Sequence, residues 1–473
     1  MKMNTQIPYL RRLNNGRTVW LDGGIVTNLE NHQSFKGTVR TIQHLLYLQT
    51  VEPTKSILTY ETEEGTNAHL SFLVPTSIND LKRKSLAYKC WADETFGVMS
   101  RLSEYSRSQL VGWYASRQRL DVWSPGIATK LEKLYEAARD LDLLSTVAAH
   151  DPQKNRSKLA EEIEHGKLRV VTKNEEGIFV SGAKTIATAA PYVDELLITS
   201  YHKRGLEEAP MANVFYVPTS AQGLHMVCRE SFASTDTNNH PLSARFDEMD
   251  AVLIFDNVLI PWERVLVAED PELAWKLRTE TASSLLSQHQ TVVRLISKLE
   301  SVVAIGNELA ETAGATEFLH VKEKLSELII QLETIKGLLN AAEYEASEHN
   351  GIYLPKQRFL TTARNLGTRY YPRALEILQQ IGASGLLQVP STIEEINGPI
   401  GDKLQAYYGG THTSAFARTK FIKLAWDLIG SQLGARHELY ERFYSGDPVR
   451  TFAAQYQNYS EKDRLLKLVE EFN

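Results

Sequence analysis

The residues best suited to chemistry in this chain gather at a chain reversal near position 150. Asp151-Pro152-Gln153 makes a turn that a helix cannot cross, because proline lacks the amide and its ring clashes with the preceding turn. Gln153, Arg156, Ser157 and Lys158 follow closely and offer amide, guanidinium, hydroxyl and ammonium donors. Downstream the apolar residues alternate or cluster around β-branched ones: Leu168, Val170 and Val171, then Ile178 and Val180, then Leu196, Leu197 and Ile198. A sheet beside a donor-rich turn is a flat, rigid wall that suits a planar, anionic cofactor. Arg101 and Tyr105 form a second candidate pair, four apart in a stretch read as helix, where they share one face. A solvated arginine beside a half-buried tyrosine is the plainer reading of that pair.

Three blocks must position these residues. Residues 1–150 read as a mainly helical domain after a hairpin-like entry around Val19-Trp20-Leu21, with helices expected over 35–50, 78–91, 97–119 and 125–150. Residues 151–269 read as a small β domain. It closes on FDEMDAVLIFDNVLIPWERVLV, where Ala251 to Phe255 and Val258 to Ile260 are expected as two short strands joined by a turn at Asp256-Asn257. Residues 270–473 read as a helical bundle and tail: two long antiparallel helices either side of Gly314, a third over 363–380, a fourth over 414–443 and a short C-terminal helix. The fold class expected is α+β, mainly helical.

The chain has 473 residues and a formal net charge of -6, which gives no basic field for nucleic acid. No apolar run approaches the roughly 18 to 20 residues that span a bilayer, and the first residues contain no apolar signal core, so a cytoplasmic protein is expected. The two cysteines, Cys90 and Cys228, are too few for a disulfide framework, an iron-sulfur cluster or a structural zinc site. Apolar rows such as Leu325, Ile329, Ile330 and Leu332 on the long helices call for cover by other copies, and a homotetramer is expected.

The order of helices, small β unit and long-helix bundle resembles the acyl-CoA dehydrogenase architecture: an N-terminal helical domain, a middle β-barrel-like domain and a C-terminal bundle. The motifs GRTVWLDG, GVMSRLSEY (97–105), DPQKNRSK (151–158), GAKTIATAA (182–190), DEMDAVLIFDNVLIPWERV (247–265) and KLAWDLIGSQLGARHELYERFYSGDP (423–448) narrow it. In order and together they resemble the 4-hydroxyphenylacetate 3-monooxygenase family, with its chlorophenol-monooxygenase branch. These are the oxygenase components of two-component flavin-dependent phenol hydroxylases.

That resemblance implies a monooxygenase that takes FAD as FADH2, reacts it with O2 to a C4a-hydroperoxyflavin and hydroxylates a small phenolic substrate. No GxGxxG follows a strand in this chain, so a separate NAD(P)H:flavin reductase would supply the FADH2. Gln153, Arg156 and Thr188 match flavin-holding positions, and Arg436 matches one that reaches flavin from a neighbouring subunit. Arg101, Tyr105 and Ser200 match substrate-binding positions. Many relatives carry a histidine where this chain has Val147. His150 lies three residues further on, and on a helical reading it points away from that position, so it is not taken as a substitute. The chlorophenol branch places a phenol-activating histidine at the start of the long-helix bundle, which implies His289 here, with Arg101 as its partner in catalysis. A helix-surface or satisfied core histidine is the plainer reading of His289. An acyl-CoA dehydrogenase-like flavoenzyme with a carboxylate base, or a non-catalytic flavin-binding member, are the alternatives; the related dehydratases need more cysteines than two.

Overall fold

The computed structural model describes residues 8–153, 166–410, 413–470 and 472. Arg156, Ser157 and Lys158 lie outside the described residues. The chain sorts into two units, Met1–Gln290 with Glu348–Leu354, and Thr291–Ser347 with Pro355–Asn473.

The first unit is built on two sheets. In chain order its strands are β1 (Thr18–Leu21), β2 (Gly24–Ile25), β3 (Thr59–Glu61), β4 (Asn67–His69), β5 (Ser145–Ala148), β6 (Arg169–Lys173), β7 (Gly177–Thr188), β8 (Glu195–Ile198), β9 (Val214–Pro218), β10 (Leu224–Cys228), β11 (Asp250–Pro261) and β12 (Val265–Val267). One sheet runs β2-β1-β10-β11-β7-β6, the other β12-β9-β8-β5, and β3 pairs with β4. Among the described residues neither sheet closes, so in place of the barrel-like middle domain expected there are two open sheets, which also take in β1, β2 and β5 from ahead of residue 151. β5 and β8 pair in parallel and are buried along their whole length, which explains their continuous rather than alternating apolar character.

Three local expectations are corrected by this unit. The helix expected over 125–150 spans only Ile127–Asp140; Asp142 then takes a positive φ of 47°, and Ser145–Ala148 becomes β5. Thr146 and Val147 are β-branched and gain a place between β8 and the helices, so sheet pairing wins over helix extension. The helix expected over 97–119 begins only at Glu104 and is interrupted before Arg117, because Phe96 and Gly97 both turn left-handed at φ 55° and 66°. Finally, Asp256-Asn257 does not end a strand. β11 continues to Pro261 through a bulge between Phe255 and Val258, with Asn257 at φ 53°.

The Glu104–Ala115 helix is buried on nearly every side. Its Gly112 is required by close approach: a Cβ there would lie 2.2 Å from the backbone nitrogen of Ser283. The neighbouring Ile78–Glu94 helix starts at Ser77, whose side chain accepts the amide of Asp80, and turns Leu81, Tyr88 and Trp91 inward at helical spacing.

The second unit is helical. Leu319–Tyr344, Gln357–Gly382, Ala415–Ile429 and Gln432–Phe443 pack with the Ser283–Thr312 helix from Thr291 onward. The helix expected over 414–443 breaks at Gly430-Ser431, where the Ser431 side chain caps the next helix through the Gly434 amide. Of the expected apolar row, Ile329 and Ile330 are exposed, Leu325 is half-buried and Leu332 is buried. No helix among the described residues is long and apolar enough to cross a membrane.

Candidate active site

Arg101 leaves the loop ahead of the Glu104–Ala115 helix and lays its guanidinium over the Tyr105 ring, 4.4 Å from the centroid. The two therefore share a face without sharing a helix. The Tyr105 hydroxyl meets that of Tyr201 at 3.1 Å. Arg278, on the Pro271–Thr279 helix, lies over the Tyr201 ring at 4.4 Å, and His150 meets the same ring edge-on at 5.9 Å. Two arginines, two tyrosines and a histidine thus converge from four segments of the chain. Ser200 sits beside this cluster, but its hydroxyl donates to the carbonyl of His202 and accepts its amide, a local turn within the loop.

His150 follows β5 and bridges to Thr185 on β7. Along an extended chain Val147 and His150 point to opposite faces, so His150 does not take the place of Val147 but meets Tyr201 from its own position. Its carbonyl accepts the amide of Thr185 on β7 at 2.8 Å. Burial, with the charges of Arg101, His202 and Lys184, lowers the His150 pKa to about 4, against the opposing pull of Asp151. The imidazole is neutral at pH 7.

The Asp151-Pro152-Gln153 turn is tied down from below. Asp151 takes the ammonium of Lys184 at 2.8 Å and the guanidinium of Arg204, which also pairs with Glu208 at 3.1 Å. Burial alone would raise the Asp151 pKa; Lys184 and Arg204 outweigh it and hold the carboxylate below its ordinary value. Gln153, two residues on, is exposed. Thr188, at the end of β7, is buried and donates its hydroxyl to Asp250 Oδ1 at 2.6 Å. The lone pairs of Thr188 Oγ1 remain to accept a ligand N–H.

Two carboxylates in the DEMD run that leads into β11 complete the arrangement. Glu248 accepts the backbone amides of Ser100 and Arg101, each at 2.8 Å. Asp250 holds Thr188 with one oxygen and Arg229 Nε with the other, at 2.9 Å.

His289 occupies another part of this unit. Its Nε2 lies 2.9 Å from the hydroxyl of Ser85, its ring meets Tyr88 edge-on at 6.1 Å, and Tyr88 in turn reaches Ser108 at 2.8 Å. His289 is fully buried among the helices. Arg436 belongs to the second unit and lies over the Tyr440 ring at 4.3 Å.

Both halves of the chain match models of one family: "4-hydroxyphenylacetate 3-hydroxylase N terminal" over residues 5–267 and "4-hydroxyphenylacetate 3-hydroxylase C terminal" over residues 274–473. The chain belongs to the 4-hydroxyphenylacetate 3-hydroxylase family. It is 38% identical over 462 residues to the 4-hydroxyphenylacetate 3-monooxygenase oxygenase component of Thermus thermophilus, covering 96% of this chain and 94% of that one. The oxygenase component from a Geobacillus species is 33% identical, with 100% and 97% covered. A crystal structure of such a component complexed with FAD and 4-hydroxyphenylacetate superposes with a TM-score of 0.93 at 37% identity, covering 100% of this chain and 99% of that one. An archaeal 4-hydroxybutyryl-CoA dehydratase, 17% identical at TM-score 0.87, shares the fold. The architecture is helix-rich α+β.

Within this family fold, sequence reasoning passed over Tyr201, Arg278, Glu248 and Asp250 and set His150 aside. The signal available for the acids was the DEMD run itself, since three carboxylates at the mouth of an apolar strand must find cations or amides. Tyr201 and Arg278 carry no such signal.

Proposed function

We propose that this chain is the oxygenase component of a two-component flavin-dependent monooxygenase that hydroxylates a phenolic aromatic compound, with FADH2 supplied by a separate reductase. The observation that carries this reading is the convergence of Arg101, Tyr105, Tyr201, Arg278 and His150 beside the Asp151-Pro152-Gln153 turn, in a chain of this family.

The donor set fits a flavin. Gln153 presents an amide at the turn, and Thr188 Oγ1, its proton committed to Asp250, offers lone pairs to a ring N–H. Arg156, beyond Gln153 in the sequence, and Arg436 are the cations assigned to the phosphates and the anionic ring. Reduced FAD, when bound, activates O2 and delivers one electrophilic oxygen atom, the other leaving as water.

An electrophilic oxygen needs an electron-rich ring, which means a phenol on its way to phenolate. Arg101, with Lys184 and Arg278 nearby, supplies the positive field that lowers the cost of that ionisation and fixes the oxygen. Neutral His150 accepts the phenolic proton's hydrogen bond, a task a protonated ring cannot perform. Tyr105 and Tyr201 provide flat walls, joined through their hydroxyls. His289, held by Ser85 and Tyr88, is the second histidine to test in this role.

Exposed Ile329 and Ile330, with exposed Leu465, Leu466, Leu468 and Val469 on the Lys462–Glu470 helix, support a homotetramer in which Arg436 serves a neighbouring subunit's flavin. Sedimentation of a monomer at micromolar concentration contradicts that assembly.

The function is tested by mixing the purified chain with reduced FAD in air and a panel of para-substituted phenols. A catechol product supports it. Hydrogen peroxide alone, with every phenol and at the rate of free reduced FAD, contradicts it.

A further inference from the structure

Arg101 stands at the substrate end of the site and Thr188 at the flavin end, and a single short run, Asp247 to Asp250, holds both. The Glu248 carboxylate is buried and spans two consecutive amides, Ser100 N–H and Arg101 N–H, at 2.8 Å each. Charge-assisted bonds of this kind are the strong ones, and two from one carboxylate define a plane as well as a distance. Two residues on, Asp250 accepts the Thr188 hydroxyl at 2.6 Å. Between them, the carbonyl of Met249 accepts the amide of Ala189 at 2.9 Å. The run is itself clamped by one guanidinium: Arg229 donates to Asp247 Oδ1 at 2.6 Å, to the Glu248 carbonyl at 2.9 Å and to Asp250 Oδ2 at 2.9 Å.

Residues 97–103 are not helical, and the preceding helix is ended by two left-handed residues, Phe96 and Gly97. A loop of that kind has no ladder of its own to fix where Arg101 departs. We propose that Glu248 is a positioning residue for substrate: it sets the backbone from which Arg101 reaches the phenol, and Asp250 registers that backbone against Thr188. The inference rests on the monooxygenase reading for what Arg101 and Thr188 touch, but not for the contacts themselves. Asp247 and Arg229 keep the run rigid.

The test compares Glu248→Ala, Glu248→Gln and Asp250→Asn with the parent chain. Backbone hydrogen exchange over residues 97–103, binding of 4-hydroxyphenylacetate, anaerobic binding of reduced FAD and product yield are measured for each. Glu248→Ala accelerates exchange over 97–103, weakens 4-hydroxyphenylacetate about tenfold or more, as expected for losing bonds to a charged group, and leaves reduced FAD affinity within about twofold. KM for the phenol rises more than kcat falls. Glu248→Gln, which keeps one acceptor oxygen, falls between the parent and Glu248→Ala and serves where the alanine variant does not fold. Asp250→Asn shows the opposite split, weakening reduced FAD more than the phenol. Unchanged exchange over 97–103 in both Glu248 variants overturns the proposal, as does a parallel loss of phenol and flavin affinity. If the parent neither binds nor hydroxylates any phenol, the monooxygenase reading fails, while the exchange experiment still decides whether Glu248 fixes the Arg101 backbone.

Discussion

His150 meets the ring of Tyr201 edge-on, with 5.9 Å between centroids and 82° between planes. That contact joins the strand leading into the Asp151-Pro152-Gln153 turn to the loop after β8, and it brings a neutral imidazole to the arginine-lined end of the site.

His150→Ala lowers hydroxylation by about a hundredfold or more, the usual worth of a positioned proton acceptor, and diverts oxygen to hydrogen peroxide. His289→Ala, which removes a contact to Ser85 in the helical core, lowers thermal stability while the product-to-peroxide ratio stays near that of the parent. Product and peroxide yields of the two variants, measured side by side, check the assignment; the reverse pattern reinstates His289 as the phenol-facing histidine.

Glu104 is fully buried, and burial raises its carboxyl pKa to about 8, against its own backbone hydrogen bond and Arg107. Between its ordinary value of 4.5 and 8 the folded state holds a proton that the unfolded state has released, so this group's contribution falls as pH rises through that window. Glu104→Gln removes that slope, and the gain above pH 8 is roughly 5 kcal/mol at most by linkage. Urea melts of parent and variant at pH 5 and pH 8.5 read the difference. A parallel pair of stability–pH curves contradicts it.

His150 contributes with the opposite sign. Its folded pKa near 4 lies below the ordinary 6.5, so between these values the unfolded state binds the extra proton and stability falls as pH falls. His150→Gln flattens this acid limb between about pH 6.5 and 4, where melts of the two proteins converge.

Asp151→Asn leaves the buried ammonium of Lys184 without its carboxylate. Breaking one side of a buried pair typically costs about 3 to 5 kcal/mol. Reduced FAD affinity falls as well, because Gln153 lies two residues beyond the loosened one in the same turn. Denaturant melts and anaerobic flavin titration check both effects.

Gly112→Ala drives a methyl to 2.2 Å from the Ser283 backbone, where no flexible side chain is available to give way. The cost is about 1 to 3 kcal/mol by overpacking, read as a lower melting temperature with reduced expression.

Most of the fold was legible in the sequence. The hairpin at Val19–Leu21, the 36–48 and 78–94 helices, the strands from Arg169 to Val217 and the long helices either side of Gly314 all follow from period and turn chemistry. Two of the failures share one cause. At Ser145–Ala148 and at Asp256-Asn257, local signals for helix and for turn were overruled by sheet partners distant in sequence, β8 and β7. The site inherits that limit. Arg101 and Tyr105 were legible as a pair because their spacing is local, whereas the Arg278–Tyr201 and Glu248–Ser100 contacts join residues far apart in the chain and leave no periodic trace. The His150–Tyr201 contact is of the same kind, joining residues 51 positions apart.

The proposed reaction transfers one atom of O2 to a phenol. Reaction of the purified chain with reduced FAD, 4-hydroxyphenylacetate or a related phenol and 18O-labelled dioxygen, followed by mass spectrometry of the product, tests it most directly. The expected product is a catechol carrying one labelled oxygen, formed in excess of hydrogen peroxide and lost in Arg101→Ala. An unlabelled product, or peroxide with no catechol across the phenol panel, contradicts it.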